Sequence, residues 1–208
     1  MRLGFLFLIF IFLSLISIDF CYSEDFRSDF VPTNLSGREK IYYEKGLSFK
    51  KQGKWNEAIS EFTMVLKLNQ RSAESHYNIG LIYEYKLMYE DAIRFFLKAS
   101  DINSKYAFYA GLDQENLGRL EDAITSFRKV LANYPESIDS RFHLALSYKR
   151  KMIFPEAISE FKKILEQDQK YAGAYYNLSL IYKNLGLIKE SQKEAEKFNQ
   201  LTFSNWKP

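Results

Sequence analysis

The hexapeptide EAISEF stands at Glu57–Phe62 and again, unchanged, at Glu156–Phe161. Two further stretches between them keep its skeleton: Asp91-Ala92-Ile93 with Phe96, and Asp122-Ala123-Ile124 with Phe127. Aligned on the alanine, the four copies lie 34, 31 and 34 residues apart. A weaker fifth copy, Glu190-Ser191-Gln192 with Ala195, follows 34 residues later. Identity at a fixed interval marks a repeated structural unit, one period of which is three residues short.

A second small residue precedes each of these positions by twelve: Gly46, Gly80, Gly111, Ala145 and Ser179. Large residues flank it at helical spacing, as in His76-x-x-Ile79-Gly80-x-x-Tyr83, Arg141-x-x-Leu144-Ala145-x-x-Tyr148 and Tyr175-x-x-Leu178-Ser179-x-x-Tyr182. Positions 42, 46 and 49 share one helix face, and positions 58, 62 and 65 share another on the helix that follows. Turns carrying Gly53, Gly118 or Gly186 separate the two helices. Asn56 is the expected cap of one second helix, and Pro155 sits at the first turn of another, where its missing N–H costs nothing. Each unit is therefore a helical hairpin closed by small residues, with Phe62, Phe96, Phe127 and Phe161 filling the space beside them. A single hairpin cannot bury both its faces, so the units must stack into an all-α solenoid.

In register and in residue type the pattern resembles the tetratricopeptide repeat. Five copies span 39–72, 73–103, 104–137, 138–171 and 172–205, about four-fifths of the chain. The resemblance implies a right-handed superhelix that binds protein or peptide segments. Departures are specific. The family's repeat-ending proline appears only as Pro135, and Gln114 replaces the usual aromatic in the third copy. The last copy has Ser191 and Ala195 in place of Ala and Phe, within a polar Lys189–Lys197 run that suits a terminal helix facing water on its outer side.

The chain's 208 residues are 47% hydrophobic, enough for a packed core. Its 29 basic and 26 acidic residues leave a net charge of only +3, which provides no field for nucleic acid. Near the start, the apolar run from Leu3 to Ile18 follows Arg2 and is shorter than a spanning helix. Small residues at Cys21 and Ser23 suit a cut ahead of Glu24, so residues 1–23 read as an export signal and the destination as the periplasm. Two alternatives stand beside it: a membrane-anchored lipoprotein acylated at Cys21, and an uncleaved anchor. Membrane association would arise only through this segment. Cys21 is the one cysteine, so a chain starting at Glu24 has no disulfide and no thiol chemistry. Residues 24–38 read as an N-terminal tether in which Asn34 or Ser36 caps the first helix, and Phe26 or Phe30 is expected to lie against the solenoid.

No catalytic constellation appears: there is no HExxH, no phosphate-cradling glycine loop and no GxSxG. The reading is of a non-enzyme without metal or cofactor. His76 and His143 sit on first helices two repeats apart, too far for a shared metal, and read as packing or rim residues. The Asn-x-Ser triplets at Asn34 and Asn177 carry no weight, the second lying within a helix.

What remains is a stripe about 100° round from the packing face of the first helices. It joins Tyr43, Tyr77, Phe108, Phe142 and Tyr176 to Leu47, Leu81, Leu112, Leu146 and Leu180, four residues on in each repeat. Three further on stand Lys50, Glu84, Glu115, Lys149 and Lys183, expected as a charged rim. In the family that the repeats resemble, first helices line the concave, ligand-binding surface, which makes the ten apolar residues a candidate partner groove. The same residues equally suit packing between neighbouring repeats. A chaperone-tail carboxylate clamp does not fit: Asn78 and Lys105 match that pattern, but Tyr43, Leu47 and Tyr109 occupy its other positions. The function expected is that of an exported scaffold or adaptor holding a protein segment in its groove. The alternative is a homo-oligomerisation module of an envelope assembly.

Overall fold

The computed structural model describes residues 31–32 and 35–203, the last without its side chain. The expected signal (1–23), most of the tether, Asn34, and Phe26 and Phe30 lie outside the described residues. Among those described, ten α-helices form five consecutive hairpins and there is no strand. They are α1 (Gly37–Lys51) with α2 (Trp55–Leu68), α3 (Ala73–Tyr85) with α4 (Tyr89–Ser100), and α5 (Ala107–Asn116) with α6 (Leu120–Asn133). Then come α7 (Ile138–Arg150) with α8 (Phe154–Gln167), and α9 (Ala172–Asn184) with α10 (Ile188–Phe203). The two helices of each hairpin pack on one another, and the second helix of each of the first four hairpins packs across a short turn on the first helix of the next. This is the α-solenoid that the periodicity predicts.

The small residues work as expected. Ala58, Ala92, Ala123, Ala157 and the four phenylalanines after them are wholly buried. A Cβ built on Gly80 would fall 2.6 Å from the Phe96 ring, and one on Gly111 would fall 2.5 Å from that of Phe127. Glycine there sets how closely the paired helices approach.

Caps fix the hairpins' phase. Ser72 and Ser137 each accept from the backbone N–H three residues on, and the Ser36 N–H donates to the Glu39 carboxylate at 3.2 Å, half of a capping box. Asn56 is not a cap: α2 begins at Trp55 with Lys54 at the boundary, so Asn56 falls inside the first turn. Pro155 does occupy the first turn of α8. The three-residue deficit is absorbed at the end of α4, which stops at Ser100, and in a 3-10 turn, Ser104–Tyr106, that replaces the first turn of the next helix.

At the hairpin turns, Gly53, Gly118 and Gly186 have φ near +70°, the left-handed region that glycine enters freely. The equivalent turns of the second and fourth repeats put Leu87 (φ 58°) and Met152 (φ 61°) there instead. Both are exposed.

Before α1 the chain is already packed. Pro32 is buried, and Val31 and Leu35 lie on the core of the first two repeats, formed by Tyr43, Leu47, Phe62, Ile79 and Ile82 among others. At the other end, none of residues 188–202 of α10 is fully buried. Its Ser191 hydroxyl donates to the Ser179 carbonyl at 2.9 Å, where the other repeats place an alanine.

Candidate interaction surface

The stripe of Tyr43, Leu47, Tyr77, Leu81, Phe108, Leu112, Phe142, Leu146, Tyr176 and Leu180 does not present one uniform surface. Tyr43, Leu47 and Tyr77 are interior residues. Tyr43 meets Phe62 edge-on, and its hydroxyl accepts from the Asn78 side-chain amide at 2.9 Å. Tyr77 is enclosed by Tyr106 and Tyr109, with ring centres 4.9 and 4.7 Å away, and by Phe96. These three are packing residues between repeats, because the next first helix lies over them. They offer no face to a partner.

Further along, the stripe opens. Leu81, Phe108, Leu112, Phe142, Leu146 and Leu180 are half-buried, and Tyr176 is 40% exposed. The cause is geometric. Phe108 is flanked by His143 of the following repeat and Phe142 by Tyr171, at the entry to α9, whereas Tyr176, on α9 itself, has Phe198 of α10 as its ring neighbour among the described residues.

The charged positions after the leucines are not a simple rim. Lys50 donates to the Asn78 side-chain oxygen at 2.9 Å, Lys149 to that of Asn177, and Glu115 meets His143 Nδ1 at 2.8 Å. The three pairs join equivalent positions, each 28 residues apart, so one polar link recurs across three of the four repeat boundaries. At the remaining boundary, Glu84 and Tyr109 hold these positions with the spacing shortened by three. Glu115 is buried, and its carboxylate also accepts from the Ser147 hydroxyl at 2.9 Å, while Arg150 donates to its backbone carbonyl. Burial pushes the pKa of Lys149 below the usual lysine value. It pushes that of Asp139 above the usual aspartate value, against the opposing field of His143. Lys183 of the fifth repeat is exposed.

These links are what sequence reading missed. The signal was present, since Lys50 and Asn78 recur as Lys149 and Asn177 at the same spacing. Their pairing depends on the rise from one repeat to the next, which no single helix encodes. Gln114, standing where an aromatic is usual, meets the Ser126 hydroxyl at 2.7 Å inside the third hairpin, a buried polar pair in place of a ring. Among the described residues, no group of three His, Cys, Asp or Glu side chains could hold a metal, and no helix is long and apolar enough to cross a membrane.

Comparison with curated proteins finds no sequence match. Solved structures give many matches, all at low identity among those described next. MamA aligns with a TM-score of 0.73 at 20% identity, over 82% of this chain and 96% of that one. A MamA fragment from Desulfovibrio magneticus RS-1 aligns with a TM-score of 0.71 at 16% identity, over 83% and 99%. YrrB, described as a TPR protein with an unusual peptide-binding site, aligns with a TM-score of 0.68 at 20% identity, over 79% and 86%. Three family models, one described as TPR repeat and two as tetratricopeptide repeat, match residues 46–86, 110–172, and 73–106 with 172–205. Five stacked hairpins, the glycine-to-phenylalanine contacts that close the first three and these matches lead to one conclusion: the chain belongs to the tetratricopeptide repeat family, whose fold is a scaffold for protein–protein interaction.

Proposed function

We propose that this chain is an exported, non-catalytic scaffold that holds an apolar segment of another protein against the first helices of its C-terminal half. The observation that carries this reading is the opening of the stripe: Leu112, Phe142, Leu146 and Leu180 keep accessible surface, and Tyr176 is exposed, in a ladder whose other end is closed. Apolar side chains aligned on successive first helices form a track that a peptide can follow. Each partner side chain fully buried there gains roughly 1.5–3 kcal/mol. A peptide ligand is also what YrrB is described as binding, on the same fold. Export to the periplasm rests on the apolar run 3–18 and the small residues before Glu24.

The test is capture from an envelope extract with the parent protein and with Leu146→Ser and Tyr176→Ser variants whose circular dichroism is unchanged. The reading predicts loss of the captured protein from both variants and retention by Lys193→Ser on α10. Full capture by both groove variants would exclude this surface. Fractionation of cells expressing the full chain tests export.

A second reading has an observation of its own. The fifth hairpin leaves Leu185, Leu187 and Ile188 exposed, and among the described residues nothing packs on α10 beyond its own hairpin partner. Self-association through this end predicts a concentration-dependent dimer by light scattering, abolished by Ile188→Ser.

A further inference from the structure

A cavity of about 520 Å³ opens beside the C-terminal ends of α1 and α3, at the closed end of the stripe. Lys50, Lys51, Trp55, Leu81, Tyr85 and Leu87 line it, with Glu84 contributing one opposing charge. The Trp55 and Tyr85 rings stand 4.5 Å apart between centroids, and Tyr85 and Leu87 are mostly exposed although large and apolar. Leu87, like Met152, holds a left-handed backbone without being glycine. Two rings, a leucine lip and two lysines are chemically suited to an aromatic side chain next to a carboxylate.

This chain carries such a segment. Residues 24–30 read Glu-Asp-Phe-Arg-Ser-Asp-Phe, two phenylalanines among three acids and one base. We infer that this segment docks in the cavity of its own chain, with Phe26 or Phe30 against Trp55 and the acids toward Lys50 and Lys51.

The place where the chain enters the described structure favours this occupant. Val31, the next residue, packs on the cluster that contains Ile82, and Ile82 itself lines the cavity. Trp55 packs on that same cluster. From that anchor Phe30 is one residue away and Phe26 five, which gives Phe26 an extended reach of about 17 Å. Charge agrees in sign: the segment is acidic on balance and the cavity basic on balance. The docked segment would cover the closed end of the stripe and leave the C-terminal half to a partner. The cavity shares no residue with the proposed partner track; its Leu81 belongs to the same stripe one repeat earlier.

The two tryptophans of the chain are Trp55 and Trp206, so a Trp206→Phe full-length background isolates Trp55 as the emitter. In that background the Phe26→Ser/Phe30→Ser variant should shift Trp55 emission to the red and raise its quenching by iodide. A synthetic peptide of residues 24–31 should reverse both changes in the variant and leave the parent unaltered. Leu87→Gly serves as a second probe: it relieves a left-handed leucine, so the fold is kept while the cavity loses its lip. It too should shift the emission to the red at unchanged circular dichroism. Identical emission and quenching in the parent and the phenylalanine variant would overturn the inference. So would a parent signal that moves with protein concentration, which would place the segment in a second copy. Capture by the Leu146 surface is measured separately, so either idea can fail while the other stands.

Discussion

His143 Nδ1 lies 2.8 Å from Glu115 Oε2, across the boundary between the third and fourth repeats, and the imidazole stacks on Phe127 with ring centres 5.6 Å apart. A buried carboxylate with imidazole, hydroxyl and guanidinium partners stabilises the boundary only while all are present. Glu115→Ala removes the acceptor for His143 and Ser147 at once and should cost about 1–3 kcal/mol. Chemical denaturation of the variant and of Lys183→Ala, an exposed residue at the equivalent place, measures the difference. Equal midpoints would show that Glu115 does not hold the boundary.

Close helix approach can be tested at the glycine. Gly111→Ala forces the Phe127 ring to move, since the new carbon would sit inside its van der Waals contact. Ala123→Leu overpacks the same hairpin. Each should cost on the order of 1–3 kcal/mol, while Lys193→Leu, exposed on α10, should leave the melting temperature nearly unchanged.

The left-handed turns make a prediction of opposite sign. A non-glycine residue in that region carries a penalty of roughly 1–2 kcal/mol, offset in part when glycine adds freedom to the unfolded chain. Leu87→Gly and Met152→Gly should therefore leave stability unchanged or raise it by up to about 1 kcal/mol. Gly118→Leu, at an equivalent turn with φ of 74°, should lower it. Thermal melts of the three variants check the ordering.

Acid should weaken the second repeat. Burial lowers the pKa of His76, the Gln70 backbone opposes it, and the charge of Lys98 lowers it further. In the unfolded chain the imidazole titrates near its ordinary value, so between the two pKa values the unfolded state binds more protons. The contribution is present above about pH 6.5 and is lost as pH falls through the folded-state value. His76→Gln should flatten the fall in melting temperature between pH 7 and pH 5. A parallel fall in both proteins would remove His76 as its cause.

The sequence by itself determined the repeat. Ala58, Ala92, Ala123 and Ala157, each followed by a phenylalanine and each twelve residues after a small partner, set the hairpin register through local spacing along helices. That information is one-dimensional, and the structure places all four pairs where the spacing requires. It also marked the stripe, because ten apolar residues recur at equivalent positions. Which of them are open was decided only in three dimensions. Tyr43 and Tyr77 occupy the same site as Phe142 and Tyr176, and nothing in their own helices distinguishes them. The difference comes from what packs over them: Asn78 engages Tyr43, Tyr106 and Tyr109 enclose Tyr77, Tyr171 at the entry to α9 flanks Phe142, and among the described residues Tyr176 has the Phe198 ring beside it. The same reason hid the links from Lys50, Glu115 and Lys149. A charge one helix turn beyond a leucine reads as a solvated rim until the neighbouring repeat supplies an asparagine or histidine, and stacking alone fixes that distance.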